Sequence, residues 1–84
     1  MDINQITQIR ETAARAAIEW IKDLEGAALA APTQIIAWAN GVIDVAFLVD
    51  DDEDAPMSPD ERDIYRAAFL RAAVREHTML TEAE

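Results

Sequence analysis

A run of acidic residues divides this chain and limits what it can fold into. Positions 50–63 read DDDEDAPMSPDERD and hold eight of the 17 acidic residues in the whole sequence. Five of these carboxylates are consecutive, and charged groups of this kind are too costly to bury without partners. The run therefore predicts a solvated acidic loop over residues 50–57, with Ala-rich helical sequence on both sides.

The sequence before the loop begins with an amphipathic helix, predicted from about residue 2 to residue 25. Asp2 is a suitable N-cap, because its side chain can accept from the first free backbone amides, and Gly26 suits a C-terminal stop. Polar and charged side chains fill one arc of this helix, and its apolar side chains share the opposite arc. The apolar residues are Ile6, Ile9, Ala13, Ala16, Ala17, Trp20, Ile21 and Leu24.

A second helix is predicted from about residue 32 to residue 49. The β-branched stretch 42–49 also resembles a strand, but the sequence offers no second strand to pair with it. Apolar residues surround most of this helix, and its narrow polar stripe is Thr33, Asn40 and Asp44. A helix that is apolar nearly all round is buried on several sides.

This second helix is also the predicted oligomer interface. Of the residues counted as hydrophobic, 17 are Ala, so a chain of 84 residues has little large apolar surface with which to cover such a helix. We therefore expect a homo-oligomer. Trp38 is open to two interpretations, core packing and the interface between copies. The residues predicted to form the interface are Trp38, Val42, Val45 and Val49.

A third helix is predicted from about residue 58 to residue 80, followed by a frayed tail at 81–84. Ser58 and Glu61 have the spacing of a capping box, and Pro59 suits the first helical position. Positive charge suits the last half of a helix, so we expect His77 on the surface there. The pairs Arg62/Arg66 and Arg71/Arg75 lie on different faces, and we expect them to pair with acids of helix 1, either within one copy or between copies. The apolar residues of helix 3 form two stripes. The first is Tyr65, Ala68, Phe69, Ala72 and Met79, and the second is Ala67, Leu70 and Val74.

The predicted fold is all-α and forms one domain over residues 1–84: a three-helix bundle or helical hairpin, with helix 2 between helices 1 and 3. The sequence has no cysteine, no secretory signal at its MDINQ start and no uncharged apolar run of the length that a membrane span needs. We therefore expect a cytoplasmic protein. There is no glycine-rich phosphate loop and no nucleophile motif, so we expect no cofactor and no enzymatic activity.

The net charge of −10 opposes binding to nucleic acid and to anionic membranes. A large partner is therefore expected to have a basic face. The acidic run is suited to contact such a basic face. Small acidic proteins, many of them phage-encoded, mimic nucleic acid and inhibit nucleic-acid-handling complexes in this way. The analogy with these inhibitors is one of size and charge only. The residues predicted to make this contact are Asp50, Asp51, Asp52, Glu53, Asp54, Asp60 and Asp63.

Two alternatives follow from the same residues. The first is a calcium-responsive helix–loop–helix switch over residues 50–61, because oxygen ligands fall near the spacing of a calcium loop. Ala55 stands where that loop needs glycine, and Pro56 pushes it toward extended geometry, so the match is imperfect. The second alternative is a structural or assembly subunit. The calcium ligands would be Asp50, Asp52, Asp54, Ser58 and Glu61.

Overall fold

The computed structural model describes residues 2–50 and 58–82, and the side chains of residues 49 and 50 lie outside that description. The chain forms helix α1 (Ile3–Asp23), a short 3₁₀ turn (Ala27–Leu29), helix α2 (Pro32–Asp50) and helix α3 (Pro59–Glu82). The described residues contain no strand. The all-α prediction is therefore confirmed, and the stretch 42–49 is helical.

The three helices alternate in direction. The Nε2 of Gln5, near the start of α1, donates to Glu61 near the start of α3, so α1 and α3 run parallel. The C-terminal part of α2 lies against the N-terminal part of α3, where Phe47 meets Tyr65 with ring centroids 5.8 Å apart. Helix α2 is consequently antiparallel to the other two.

Helix α3 occupies the central position. It packs along α1 and along α2, whereas α1 and α2 contact each other little. The prediction that helix 2 lies between helices 1 and 3 is therefore wrong. The two apolar stripes of helix 3 have a simple physical reason, because a helix with two neighbours needs apolar side chains on two sides.

Each helix begins with a side-chain cap. The Oδ1 of Asp2 accepts from the backbone N–H of Gln5 at 2.8 Å, as the sequence predicts. The capping box of α3 is also confirmed: the N–H of Glu61 donates to the Ser58 Oγ at 3.3 Å, and the N–H of Ser58 donates to the Glu61 carboxylate at 3.1 Å. In α2, the Gln34 side chain accepts from the N–H of Ala31.

Gly26 makes the turn between α1 and the 3₁₀ segment. Its φ of +77° places it in the left-handed region, which glycine enters without the steric penalty that a Cβ imposes. Helix α1 has already ended at Asp23. Gly26 therefore redirects the chain just beyond the helix.

Small side chains dominate the core. The largest fully buried side chains are Ile21, Ile35 and Ile43, one from α1 and two from α2. Trp20, from the apolar arc predicted for helix 1, packs against this core, with its ring centroid 5.7 Å from that of Phe69. The remaining core members are mostly alanines, and they allow close approach of the helices: Ala13, Ala17, Ala27, Ala39, Phe47, Phe69 and Ala73.

His77 is buried, with 3% of its surface exposed, so its predicted surface position is wrong. It follows Phe69 and Ala73 at four-residue spacing, and all three face the core. Its Nε2 lies 2.8 Å from the carbonyl oxygen of Ala30. A carbonyl only accepts, so Nε2 carries the proton and donates. This bond ties α3 to the segment that leads into α2.

Candidate binding surfaces

Among residues 2–50 and 58–82, helix α2 contacts the other elements with one side only. Its buried residues recur at four-residue spacing, from Ile35 to Phe47. The other side carries large apolar side chains exposed to solvent, among them Trp38 at 45% and Val45 at 61%. We call this side the outer face of α2. It consists of Trp38, Gly41, Val42, Val45 and Leu48.

The outer face includes three of the four residues predicted as the oligomer interface. Trp38, Val42 and Val45 are spaced by four and then three positions, which places them on one stripe of a helix. Val49 has the next position in this spacing, but its side chain lies outside the described residues. Within this chain Trp38 is not a core residue. Its role between copies stays a prediction.

The outer face carries no charge. The only charged residue from Pro32 to Phe47 is Asp44, and its carboxylate pairs with the Arg66 guanidinium of α3. The same guanidinium donates to the Asn40 Oδ1 at 2.7 Å. Asn40 and Asp44 of the polar stripe are therefore directed toward α3.

Two arginines of α3 pack against the Phe47 ring of α2. The guanidinium carbons of Arg62 and Arg66 lie 5.2 and 5.8 Å from the centre of the Phe47 ring. Such stacking keeps an arginine beside an apolar ring at little cost in hydration. Within one copy, the acid that pairs with Arg66 is Asp44 on α2 and not an acid of helix 1.

Gly41 has no structural explanation within the chain. A Cβ built on it meets nothing within 4 Å, and its φ is not in the left-handed region. Glycine inside a helix destabilises it by roughly 0.5–1 kcal/mol relative to alanine. Neither backbone geometry nor packing inside one copy offsets this cost.

A groove of about 810 Å³ runs between α1 and α3. The apolar side chains that line the groove are mostly small; Ala14 and Ile18 come from α1 and the others from α3. Tyr65 and Arg66 are the α3 residues that contact α2, and neither of them lines the groove. The groove therefore opens on another side of α3. Its α3 apolar lining is Ile64, Ala67, Ala68, Ala72 and Met79.

The rim of this groove carries more basic than acidic side chains. Arg10, Arg71 and Arg75 line it, three of the seven basic residues in the sequence, together with Asp63 and Glu76. In the described ranges none of these arginines forms an ion pair. The expected pairing of Arg71 and Arg75 with acids of helix 1 is therefore absent from the described contacts.

The acidic run is described only at its two ends. Asp50 is the last residue of α2, and Asp60 and Asp63 are exposed on the first turns of α3. The predicted contact residues Asp51, Asp52, Glu53 and Asp54 lie outside the described residues. The acidic loop as a contact surface therefore stays a prediction.

Of the predicted calcium ligands, only Ser58 and Glu61 have described side chains. Both act in the capping box, and the second oxygen of Glu61 accepts from the Gln5 side chain at 3.4 Å. A bidentate calcium ligand needs both carboxylate oxygens, so calcium would compete with these bonds. Residues 2–48 and 58–82 contain no cluster of three acids or histidines placed to hold a metal.

Tyr65 is a titratable side chain whose pKa is affected by burial. Desolvation raises the pKa of the Tyr65 phenol above its ordinary value, because the apolar surroundings oppose the phenolate. Tyr65 lies between the rings of Phe47 and Phe69. This is the environment of a packing residue.

Comparisons of the chain with protein-family models, curated proteins and solved structures found no match. Within the described ranges no helix is both long enough and apolar enough to cross a membrane.

Proposed function

We propose that this chain is a non-enzymatic protein-binding module that associates with a second copy of itself through the outer face of α2. The exposed, uncharged apolar side of α2 carries this proposal. Trp38, Val42 and Val45 lie on one stripe of it, and the other side of the same helix is already in the core.

A second copy is the occupant that the charges favour. Two copies of a chain with net charge −10 repel each other in general, so at least one of the two contacting surfaces should carry no negative charge. The outer face of α2 is such a surface. It also contains Gly41, whose missing side chain allows another helix to approach closely.

The expected affinity is modest. The exposed parts of these side chains amount to about 300 Å² of apolar surface per copy, a patch size at which function is common. Covering them on two copies removes about 600 Å² of apolar surface from water and contributes roughly 15 kcal/mol before costs. Association costs about 4–15 kcal/mol, and a cost of about 7 kcal/mol leaves the roughly 8 kcal/mol that micromolar self-association requires.

The test is sedimentation velocity over a range of concentrations. Val45→Glu places a carboxylate at the most exposed point of the stripe and should raise the dissociation constant at least about tenfold. Gln8→Glu adds the same charge on the exposed side of α1 and should leave association unchanged. Wild-type protein that stays at 9.3 kDa at high micromolar concentration contradicts the proposal.

We expect the acidic run to bind a second partner of the assembled module. We propose that this partner is a protein with a basic surface in a nucleic-acid-handling complex, which the module inhibits by occupying that surface. The exposed carboxylates of Asp60 and Asp63 and the five acids at 50–54 in the sequence support this. An assembly subunit uses the same outer face and no basic partner.

The charge of the run is what we expect to determine binding to this partner. Replacing residues 50–54 by Asn and Gln should weaken capture of the basic partner and leave self-association intact, since exposed charges act mainly on encounter rates. Capture should also fall steeply with salt. Equal capture by the neutralised and wild-type chains would exclude the inhibitor and favour the assembly subunit. Calorimetry that detects one saturable calcium site would favour the switch.

A further inference from the structure

The groove between α1 and α3 and the outer face of α2 are complementary in shape. The groove is concave and is lined by Ala14, Ala68 and Ala72, whose small side chains allow a helix to approach closely. The outer face is one side of a single helix, with Gly41 near its middle. Along α3 the groove spans about 24 Å, and the outer face spans about 15 Å, from the helical rise per residue.

The two surfaces are also complementary in charge. Three arginines against two acids make the groove locally positive in a chain of net charge −10. The outer face of α2 adds no charge of its own. Its helix ends at Asp50, where the C-terminal dipole is negative.

Area gives a third reason. Stable protein contacts bury about 800 Å² on each partner, well above the roughly 300 Å² that the outer face exposes. Two outer faces laid against each other leave the groove open to water. A helix seated in the groove is covered on two flanks, by α1 and by α3, and the contact covers both apolar surfaces of the chain.

We propose that the outer face of α2 of one copy packs into the α1–α3 groove of the next copy. This inference rests on the proposed function and names the surface that receives α2. The contact joins two different surfaces, so it repeats from copy to copy and builds a ring or an open chain rather than a closed pair.

The test mixes two variants that each lose one surface. Val45→Glu damages the outer face, and Ala67→Glu places a carboxylate at an exposed position of the groove. Each variant alone should sediment as a monomer where the wild type forms larger species, with the dissociation constant raised at least about tenfold. An equimolar mixture should form 1:1 dimers and nothing larger, because one intact outer face and one intact groove remain.

Circular dichroism establishes that both variants fold, and Gln8→Glu is the matched charge control. Arg71→Glu, at an exposed rim position, replaces Ala67→Glu if the latter does not fold. If the groove variant associates like the wild type while Val45→Glu is monomeric, the groove is not the receiving surface, and self-association through α2 stands. A monomeric mixture overturns the groove as well. A monomeric wild type overturns the proposed function and, with it, this inference.

Discussion

Gly41→Ala separates the stability of one copy from the affinity between copies. The position is helical and open, with nothing within 4 Å of the added methyl group. Alanine should therefore increase the free energy of unfolding of the isolated chain by about 0.5–1 kcal/mol. A domain of this size gains about 4–8 °C in melting temperature for each kcal/mol.

The same methyl group should weaken self-association. Gly41 lies between Trp38 and Val45 on the outer face, so a neighbouring helix that approaches closely meets the new Cβ. Urea unfolding at low micromolar concentration measures the first effect, and sedimentation velocity measures the second. Thr12→Ala, on the exposed side of α1, is the control and should raise stability without changing association.

Opposite signs in the two assays are the distinguishing result. Unchanged or tighter association of Gly41→Ala would mean that no helix packs at this position. The contact between copies would then lie elsewhere. A loss of stability would contradict the argument that nothing inside the chain needs this glycine.

Two further predictions concern single side chains. Ser58→Ala should lower the free energy of unfolding by about 1 kcal/mol in urea titrations, because the N–H of Glu61 loses its acceptor, and unchanged stability would mean that the capping bond contributes nothing in water. Tyr65 is the only tyrosine, so the absorbance change of tyrosine at alkaline pH reports this side chain alone, and the midpoint of its titration should lie above pH 10.0. Burial of the neutral phenol contributes fully to the free energy of unfolding below pH 10, and this contribution should be lost as the pH rises through the pKa of the folded state. A midpoint at or below 10.0 would contradict the burial of this ring.

The parts of the fold that sequence predicts are those set by local spacing. The apolar arc of helix 1 correctly placed Ala13, Ala17 and Ile21 in the core, because helical periodicity needs no knowledge of the partner. The capping box at Ser58 is equally local. Its donors and acceptors are three residues apart and meet as soon as the helix starts.

The arrangement of the helices was harder to predict, because it depends on which faces meet. Helix 3 had two apolar stripes, and the structure explains both by its two neighbours. His77 was assigned to the surface from its charge near a helix end. The overlooked signal was its four-residue spacing from Phe69 and Ala73. This spacing places the imidazole in the buried row, where the backbone carbonyl of Ala30 satisfies its Nε2.

The composition of the core links folding to association. In the part of the chain that the structure describes, the largest fully buried side chains are three isoleucines, and Ala dominates the rest of the core, so a single copy gains little from burial. Helix α2 supplies two of those three, Ile35 and Ile43, from one side and exposes comparable apolar surface on the other. Under the proposed association, the outer face becomes buried only when copies meet. Binding that requires the folded state stabilises that state, so assembly would stabilise α2 in place of a larger core.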